Sequence, residues 1–342
     1  MHVALICPYS TGPARGNITT IRRIAEHLPV AGCRVTIIPL DTLALQDQHI
    51  QLAHAKPDLL HAFHAFHAGP AARNHAQYLN IPYLVTITGS DLFREQMRNA
   101  LPTRTVIEDA AAITCFDLLV AEQFSKYFPD AAAKIVVIPQ GVAQPAIHAT
   151  DCVAGRHNTG CHERFTVLLP AAIRPEKGIL EALAALAPLV ELLPNLHLEL
   201  AGGDLDPAYA ETVRRQTRGL PWVTLLGDVP HTLMEARYTT ADLVLNCSLF
   251  EGGMANVLLE AMAMGRPVLA RDITGNRSLI QQGITGWIYK NDEQLRHSVL
   301  DIAARPEQRA SVGRAARDFV IRHFSPEQEA EALVGLYQRL LS

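Results

Sequence analysis

Short, continuously apolar segments alternate with longer stretches of helical periodicity along most of the chain. Twelve of these segments are rich in Val, Ile and Leu: HVALI, RVTIIPL, DLLHAF, YLVTIT, AAITCF and KIVVIP, then FTVLLP, LHLELAG, VTLLG, DLVLNCS, PVLAR and GWIY. Strands that are buried on both faces of a parallel sheet have this continuous apolarity, whereas half-exposed strands alternate. The pattern therefore predicts an α/β fold with two doubly wound, Rossmann-like units.

The apolar periodicity is interrupted at residues 143–164, where His, Gly, Thr, Asn and charged residues predominate. Such a change of composition is typical of a linker. We therefore predict an N-terminal domain over residues 1–145 and a C-terminal domain over residues 163–324, with ligand bound in a cleft at the carboxyl ends of both sets of strands. Residues 325–342 have helical apolar spacing after a Ser-Pro entry and predict an amphipathic helix. This helix covers one of the two domains, and packing back on the N-terminal domain is one arrangement.

Composition and charge narrow the classes of partner. The chain has 342 residues, 49% of them hydrophobic, which is enough for two cores. The 30 Lys and Arg residues do not exceed the 34 acids, so nucleic acid is not an expected partner. No apolar run is long enough for a signal peptide or a membrane span, so we expect a cytoplasmic protein with small-molecule partners. Peripheral membrane contact and the oligomeric state stay open.

The six cysteines include no CxxC pair, and four of them lie in apolar, strand-like segments. This pattern indicates reduced core cysteines rather than a disulfide framework. The linker offers one alternative, a zinc site, from four residues: Cys152, His157, Cys161 and His162. Their spacings do not match those of zinc sites, so we expect no metal.

The segment SLFEGGMANVLLEAMAMGRPVLA predicts a helix from near Met254 to Met264 that is apolar except at Asn256 and Glu260. These two residues are four apart and lie on one face of the helix. A buried carboxylate is costly unless it is hydrogen-bonded, and the local sequence supplies no partner for Glu260. We interpret a bound ligand as that partner. In the alternative interpretation, Glu251 caps the helix and Glu260 meets a core Arg or Tyr.

The loop before this helix has features of an anion site. Gly252 and Gly253 allow close approach of the backbone, and the first amides of the helix favour negative charge. Glu251 and Glu260 beside such a site indicate recognition of hydroxyl groups, because carboxylates accept hydrogen bonds from the vicinal hydroxyls of sugars.

Two further turns of the second half carry candidate residues. Arg174 and Lys177, in AAIRPEKGIL, follow a predicted strand and are suited to gripping a diphosphate. The alternative is a surface turn with Glu176 as a helix cap. In LELAGGDLDP, Gly202 and Gly203 allow a nucleotide to lie against the main chain, although the Gly-Gly pair alone favours a plain tight turn.

The first half contains a strand, a loop with Gly12 and Gly16, and a helix with Asn17 or Thr19 as its cap. This arrangement is similar to a phosphate-binding turn, but it lacks the GxGxxG pattern. A dinucleotide cofactor is therefore not indicated.

Histidines recur every third residue at His61, His64 and His67, as a predicted strand passes into a loop. Carboxylate companions for a metal are missing, so at least one of these histidines is expected to be packed or capping. In the later turn TITGSDLF, Asp91 is either a helix N-cap or a substrate contact.

In combination, these segments resemble the family 4 retaining glycosyltransferases, which have the two-Rossmann GT-B fold and use nucleotide sugars. The resemblance covers most of the chain, and its most specific parts are EGGMANVLLEAMAMGRPVLARDITGN, GITGWIY and RPEKG, with TITGSD weaker. A smaller branch of selenosugar synthases and of the vertebrate cytosolic glycosyltransferase 1 domain-containing proteins looks most similar.

The resemblance implies a role for each candidate position. Arg174 and Lys177 would hold the diphosphate, Glu260 would bind the ribose hydroxyls, and Glu251 with the backbone of 252–255 would receive the donor sugar. The implied donor-binding residues are Gly202, Gly203, Gly252, Gly253, Met254, Ala255, Asn256 and Glu260. The implied residues on the acceptor or sugar side are Gly16, Asn17, His64 and Asp91.

The chain departs from the family pattern at three places. The family spaces its two glutamates as E-x7-E, but eight residues separate Glu251 from Glu260, which requires a one-residue bulge near Gly252 or Gly253. The usual arginine position holds Ala172, so Arg174 is a shifted substitute. Thr88 stands where the family has a histidine, which leaves the sugar or acceptor contact to His64 or Asp91.

The resemblance implies transfer of a sugar from a nucleotide-diphosphate sugar, with UDP favoured, to an unidentified acceptor, without a cofactor or a metal. Base recognition is expected at main-chain groups of residues 225–230. The alternatives are a nucleotide-sugar epimerase on the same fold and a catalytically silent nucleotide-sugar-binding protein. A phosphorylase is disfavoured because no lysine for pyridoxal phosphate is evident.

Overall fold

The computed structural model describes residues 1–11, 16–143, 164–251 and 253–342. The chain forms two compact units. Unit 1 comprises Met1–Gly141, Glu251–Met254 and Phe324–Ser342, and unit 2 comprises Val142–Phe250 and Ala255–His323. Most of the predicted linker, including Cys152, His157, Cys161 and His162, lies outside the described residues.

Unit 1 is built on a six-stranded parallel sheet of order β2-β1-β3-β4-β5-β6. Its strands are β1 (His2–Cys7), β2 (Arg34–Pro39), β3 (Leu59–Phe63), β4 (Tyr83–Thr86), β5 (Ala112–Cys115) and β6 (Ile135–Val137). Its helices are α1 (Gly16–His27), α2 (Leu45–Ala55), α3 (Gly69–Leu79), α4 (Ser90–Phe93), α5 (Glu95–Arg98), α6 (Leu101–Asp109) and α7 (Leu118–Tyr127), followed by a 3-10 turn at Pro129–Lys134.

Unit 2 is built on a second six-stranded parallel sheet, of order β12-β11-β10-β7-β8-β9. Its strands are β7 (Phe165–Pro170), β8 (Leu196–Ala201), β9 (Val223–Gly227), β10 (Leu243–Asn246), β11 (Val268–Arg271) and β12 (Trp287–Tyr289). After a 3-10 turn at Pro175–Lys177, its helices are α8 (Ile179–Leu186), α9 (Leu189–Leu192), α10 (Pro207–Thr217), α11 (His231–Thr240), α12 (Asn256–Ala263), α13 (Thr274–Arg277), α14 (Asp292–Ala304) and α15 (Pro306–His323).

The strands at the centre of each sheet explain the continuous apolar segments. Every residue of β1, β3, β4, β5 and β10 is buried, because helices cover both faces of each sheet. The edge strands β2, β6 and β9 are only partly buried. The four described cysteines, Cys7, Cys33, Cys115 and Cys247, are buried and unbridged. The predicted fold, two doubly wound α/β units, is confirmed.

The last helix, α16 (Pro326–Leu341), packs on α1 of unit 1 after the chain has passed through unit 2. Ser325 caps it by accepting from the Gln328 amide at 3.2 Å. A buried ion pair fixes the helix: Arg23 donates through Nε to Glu329 Oε2 at 2.8 Å and through Nη2 to Oε1 at 3.0 Å. The Gly141 amide also donates to Glu329 Oε2, at 3.1 Å.

His61 of β3 is a second buried link to α16. Its Nδ1 lies 2.7 Å from the Tyr337 hydroxyl and its Nε2 lies 2.6 Å from Thr86 Oγ1. Burial lowers the pKa of His61 from 6.5 to about 3. The imidazole is therefore neutral at physiological pH, and its hydrogen bonds stabilise the core of unit 1.

Throughout the described ranges, every helix is too short or too polar to cross a lipid bilayer.

Replacing Arg23 by Met is expected to destabilise unit 1 by about 3–5 kcal/mol, because it leaves the buried Glu329 carboxylate without its cation. Urea unfolding of the full chain checks this. Both tryptophans, Trp222 and Trp287, lie in unit 2, so their fluorescence reports that unit, whereas far-UV circular dichroism reports both. The dichroism midpoint should fall with little change in the fluorescence midpoint.

The matched control is Arg73→Met, which breaks a half-exposed pair with Asp109 and should cost at most about 1 kcal/mol. Equal midpoints for the two variants would contradict the prediction.

Stability should depend on pH through His61. Because the unfolded histidine binds a proton near pH 6.5 and the folded one only near pH 3, its contribution is complete above pH 6.5 and is lost as pH falls towards 3. The free energy of unfolding of the wild type should therefore fall relative to that of His61→Gln, by at most about 1.4 kcal/mol per pH unit. Denaturant titrations of both proteins from pH 7.5 to 4 measure this difference. A difference that does not change with pH would refute the assignment.

Candidate functional site

The centre of the unit 2 sheet is where its strand order reverses. The strands β7 and β10 are neighbours there, with β8 and β9 on one side and β11 and β12 on the other. In open α/β sheets, ligands bind beyond the carboxyl ends of the strands at such a position. The turn that follows β7 carries Arg174 and Lys177, and the loop that follows β10 leads to Glu251.

These two connections are packed directly against each other. Gly178 has a φ of 61°, and a Cβ on it would lie 2.3 Å from the Cys247 carbonyl oxygen. The Leu249 amide donates to the Glu176 carbonyl at 2.8 Å, and Cys247 Sγ donates to the Lys177 carbonyl at 3.0 Å. Burial raises the pKa of the Cys247 thiol to about 12, so it remains a neutral donor. Only glycine at 178 permits this close approach.

Lys177 extends from this contact towards the carboxyl end of β10. Its Nζ donates to Ser248 Oγ at 3.3 Å, and the Ser248 amide donates to Asn246 Oδ1 at 3.1 Å. The Arg174 side chain, three residues earlier, is 42% exposed, and its Nε lies 3.8 Å from Glu176 Oε2. The two cations predicted from the sequence thus lie on one turn at the sheet centre.

The alternative in which Glu176 caps the next helix is wrong. The N-cap of α8 is Gly178, in a left-handed conformation, and no side chain caps it. Glu176 instead contributes its carbonyl to the contact with Leu249.

Gly202 and Gly203 have a structural explanation. A Cβ on Gly202 would lie 1.9 Å from the Ala171 carbonyl oxygen, and the Gly202 amide donates to the Gly227 carbonyl at 2.8 Å. The Gly203 carbonyl accepts from the Ile173 amide at 2.8 Å. Gly202 lets the backbones after β7 and β8 approach closely, so the need for glycine at this position comes from main-chain packing. Nucleotide contact at these positions stays a prediction.

Glu260 has two protein partners in α11, which corrects the inference that only a ligand could be its partner. The Tyr238 hydroxyl donates to Glu260 Oε2 at 2.8 Å, and His231 Nε2 lies 2.9 Å from Oε1. Our alternative of a core Tyr partner is thus the observed one, and His231 was missed. The partners are 22 and 29 residues away in the sequence, so no local pattern indicates them. The Glu260 side chain is still 17% exposed.

The helix that carries Glu260 begins later than predicted. The first residue of α12 is Asn256, and its N-cap is Ala255, whose side chain cannot accept a hydrogen bond. Met254 precedes the helix rather than starting it, because its carbonyl accepts from Gln140 Nε2 at 3.4 Å instead of joining the helical ladder. Glu251 is partly buried and lies five residues before the helix.

The segment Glu251–Met254 is grouped with unit 1 by its contacts. Gly253 has a φ of 150°, and a Cβ on it would lie 2.9 Å from the Phe116 ring. Glycine is therefore required at this position both by conformation and by space. Gly252 lies outside the described residues, so the predicted bulge between the two glutamates stays a prediction.

At the carboxyl edge of the unit 1 sheet, His64 is held by its backbone surroundings. It has a φ of 89°, and its Nδ1 accepts from the Phe66 and His67 amides, both at 3.2 Å. Because Nδ1 uses its lone pair in this way, the proton resides on Nε2, which donates to Ser90 Oγ at 2.8 Å. The same Nδ1 lies 3.7 Å from Asp91 Oδ2.

Asp91 has backbone partners, and its predicted contact with a ligand stays a prediction. The residue is fully buried, and its carboxylate accepts from the amides of Ala65 at 2.8 Å, Gly89 at 2.8 Å and Thr88 at 3.1 Å. It is the second residue of α4, so it is also not the N-cap. Asp91 therefore links the turns that follow β3 and β4 through their backbone amides.

The neighbouring polar groups lie on α1 and after β4. Asn17 Nδ2 donates to Thr88 Oγ1 at 3.3 Å, and both residues are half-buried, as is Ser90. The prediction that Asn17 or Thr19 caps α1 is wrong, because the helix already includes Gly16. Gly12 lies outside the described residues.

Across the described parts of the chain, His, Cys, Asp and Glu side chains form no group of three or more that could hold a metal ion.

Comparison with known proteins gives a match for each half of the chain. The family model Glycosyltransferase Family 4 matches residues 2–143, and the family model Glycosyl transferases group 1 matches residues 164–305. Glycosyltransferase 1 domain-containing protein 1 of Xenopus tropicalis is 27% identical in an alignment 338 residues long, which covers 95% of this chain and 94% of that protein.

Solved structures show the same fold. Sucrose-phosphate synthase from Thermosynechococcus elongatus superposes with a TM-score of 0.81 at 21% identity, over 99% of this chain and 98% of that one. HepE from Anabaena, solved in complex with UDP-glucose, superposes with a TM-score of 0.75 at 17% identity, over 99% of each chain. These structures and the two six-stranded parallel sheets show the GT-B fold. The two family matches, which together span both halves of the chain, show that the chain belongs to the family 4 glycosyltransferases (glycosyl transferases group 1).

Proposed function

We propose that this glycosyltransferase transfers a sugar from a UDP-sugar to an acceptor with retention of the anomeric configuration. The observation that carries the proposal is the pair of cations, Arg174 and Lys177, on the turn that Gly178 packs against the end of β10. The structure of HepE with UDP-glucose, in a chain of the same fold, supports the choice of donor.

In the proposed donor site, the two cations bind the diphosphate. The half-exposed Arg174 pairs its planar guanidinium with phosphate oxygens, and Lys177 acts as a point charge next to Ser248. The first amides of α12 add partial positive charge. As the bond to the sugar breaks, negative charge grows on the diphosphate, and these groups stabilise it.

Glu260 is the proposed acceptor for the ribose hydroxyls. An ionised carboxylate offers about four lone-pair positions, and the two protein partners of Glu260 use two of them. The remaining positions and the 17% exposure of the side chain leave room for a ligand. A protein-satisfied carboxylate thus remains compatible with ribose binding.

Retention follows from displacement on one face of the sugar. The bond between the anomeric carbon and the phosphate oxygen breaks, the acceptor oxygen bonds to the same face, and the acceptor proton passes to the departing phosphate. No protein base is needed in this displacement, and His64 Nδ1 already accepts from two backbone amides. In this proposal, the cations and α12 neutralise the phosphates, so neither a metal nor a cofactor is required.

Replacing Lys177 by Ala is expected to lower kcat for donor cleavage by about 10² to 10³, because a preorganised charge that stabilises the leaving group contributes about 2.7–4 kcal/mol. Release of UDP from saturating UDP-glucose, the donor sugar that HepE binds, measures kcat. Arg215→Ala is the matched control, since it removes an exposed cation of α10 from the same unit. Thermal denaturation should show a cooperative unfolding transition for both variants, which establishes that they are folded. Similar rates for the two folded variants would argue against the role of Lys177.

Slow hydrolysis of the donor distinguishes a transferase from a silent binding protein. A thermal-shift panel of UDP-, GDP- and ADP-sugars first identifies the ligand, because a ligand at 100 times its Kd adds about 2.7 kcal/mol of stability. The isotope-labelled form of that ligand should then release free sugar over hours, and an excess of EDTA should leave the rate unchanged. A bound donor that stays intact would support the silent alternative, and loss of the rate with EDTA would contradict metal independence.

A further inference from the structure

Two residues of α11 contact the carboxylate of Glu260, one at each oxygen. His231 is the first residue of the helix and Tyr238 is seven residues later, so both lie on the same helix face. Tyr238 donates to Oε2 and His231 contacts Oε1, which means that each carboxylate oxygen has its own partner.

The two partners differ in exposure. Tyr238 is 2% exposed, whereas the His231 side chain is 58% exposed. Burial and the negative charge of Glu260 raise the pKa of Tyr238 well above its usual value, so its hydroxyl remains a donor. The carboxylate is therefore held from the core by a buried hydroxyl and from the solvent side by an imidazole.

This arrangement fixes the plane of the carboxylate. The terminal torsion of a glutamate side chain is broad, so a carboxylate without partners samples many orientations. Two donors on different oxygens select one orientation and leave one lone-pair position on each oxygen. The 2′ and 3′ hydroxyls of a ribose are two adjacent donors, which is the pattern that these two positions accept.

Building on the function proposed above, we propose that Tyr238 and His231 are positioning residues that orient Glu260 for ribose and thereby set the preference for ribonucleotides over deoxyribonucleotides. They act through Glu260 and need no contact with the ligand. Tyr238 contributes more, because its hydrogen bond is buried, whereas that of His231 competes with water.

The test compares the Kd values of UDP and 2′-deoxy-UDP by isothermal titration calorimetry. The wild type should prefer UDP by about tenfold or more, as expected for a hydrogen bond to a charged group. In Tyr238→Phe this ratio should fall to about twofold, mainly through weaker binding of UDP. Tyr337→Phe is the matched control, because it removes an equally buried tyrosine hydroxyl from unit 1. It should keep the wild-type ratio.

His231 is tested in the same way. His231→Ala should lower the ratio by a smaller factor, about threefold. His231→Gln restores an N–H donor near Oε1 and should recover most of the preference, which a purely structural role of the ring would not produce.

Each outcome decides a different statement. If Tyr238→Phe weakens UDP and 2′-deoxy-UDP equally, Tyr238 only stabilises the fold and the inference is overturned. If the wild type binds both nucleotides equally, Glu260 does not read the ribose, which also overturns it. If UDP, GDP and ADP all fail to bind the wild type, the proposed function fails first and this inference fails with it.

Discussion

The close approach of two backbones at the centre of unit 2 determines the rest of the candidate site. The turn after β7 reaches the end of β10 only because Gly178 has no side chain to meet the Cys247 carbonyl. That contact places the Lys177 ammonium beside Ser248 and aligns Glu176 with Leu249 through the main chain. The position of the turn that carries the cations is thus set by strand order and backbone packing. A second close approach of this kind occurs after the neighbouring strand β8, where Gly202 lies against the Ala171 carbonyl.

Unit 1 uses its polar residues differently at the corresponding edge. The Asp91 carboxylate there accepts hydrogen bonds from three backbone amides, and His64 Nδ1 accepts from two more. Burying these groups without such partners would be costly, so they stabilise turns that would otherwise lack regular hydrogen bonds. This edge also carries the half-buried hydroxyl and amide groups of Asn17, Thr88 and Ser90.

The sequence predicts those features that depend on local pattern. Continuous apolar segments identify the buried strands of both sheets, and Ser325 followed by Pro326 identifies the start of α16. Arg174 and Lys177 are found because they follow a strand. The partners of Glu260 are not found, because Tyr238 and His231 meet it only when α11 packs beside α12. The role of Asp91 depends on the orientation of amides, which composition and spacing do not encode.

The docking of α16 on unit 1 has a consequence for synthesis on the ribosome. The hydrophobic cluster that covers β1 contains four residues of this helix, Ala330, Leu333, Leu336 and Tyr337, next to Val3 and Leu5. Because translation proceeds from the N-terminus, these side chains emerge after the whole of unit 2 has been made. The first unit to be translated is therefore the last to complete its core, and nascent unit 1 exposes apolar surface that a chaperone can cover in the meantime.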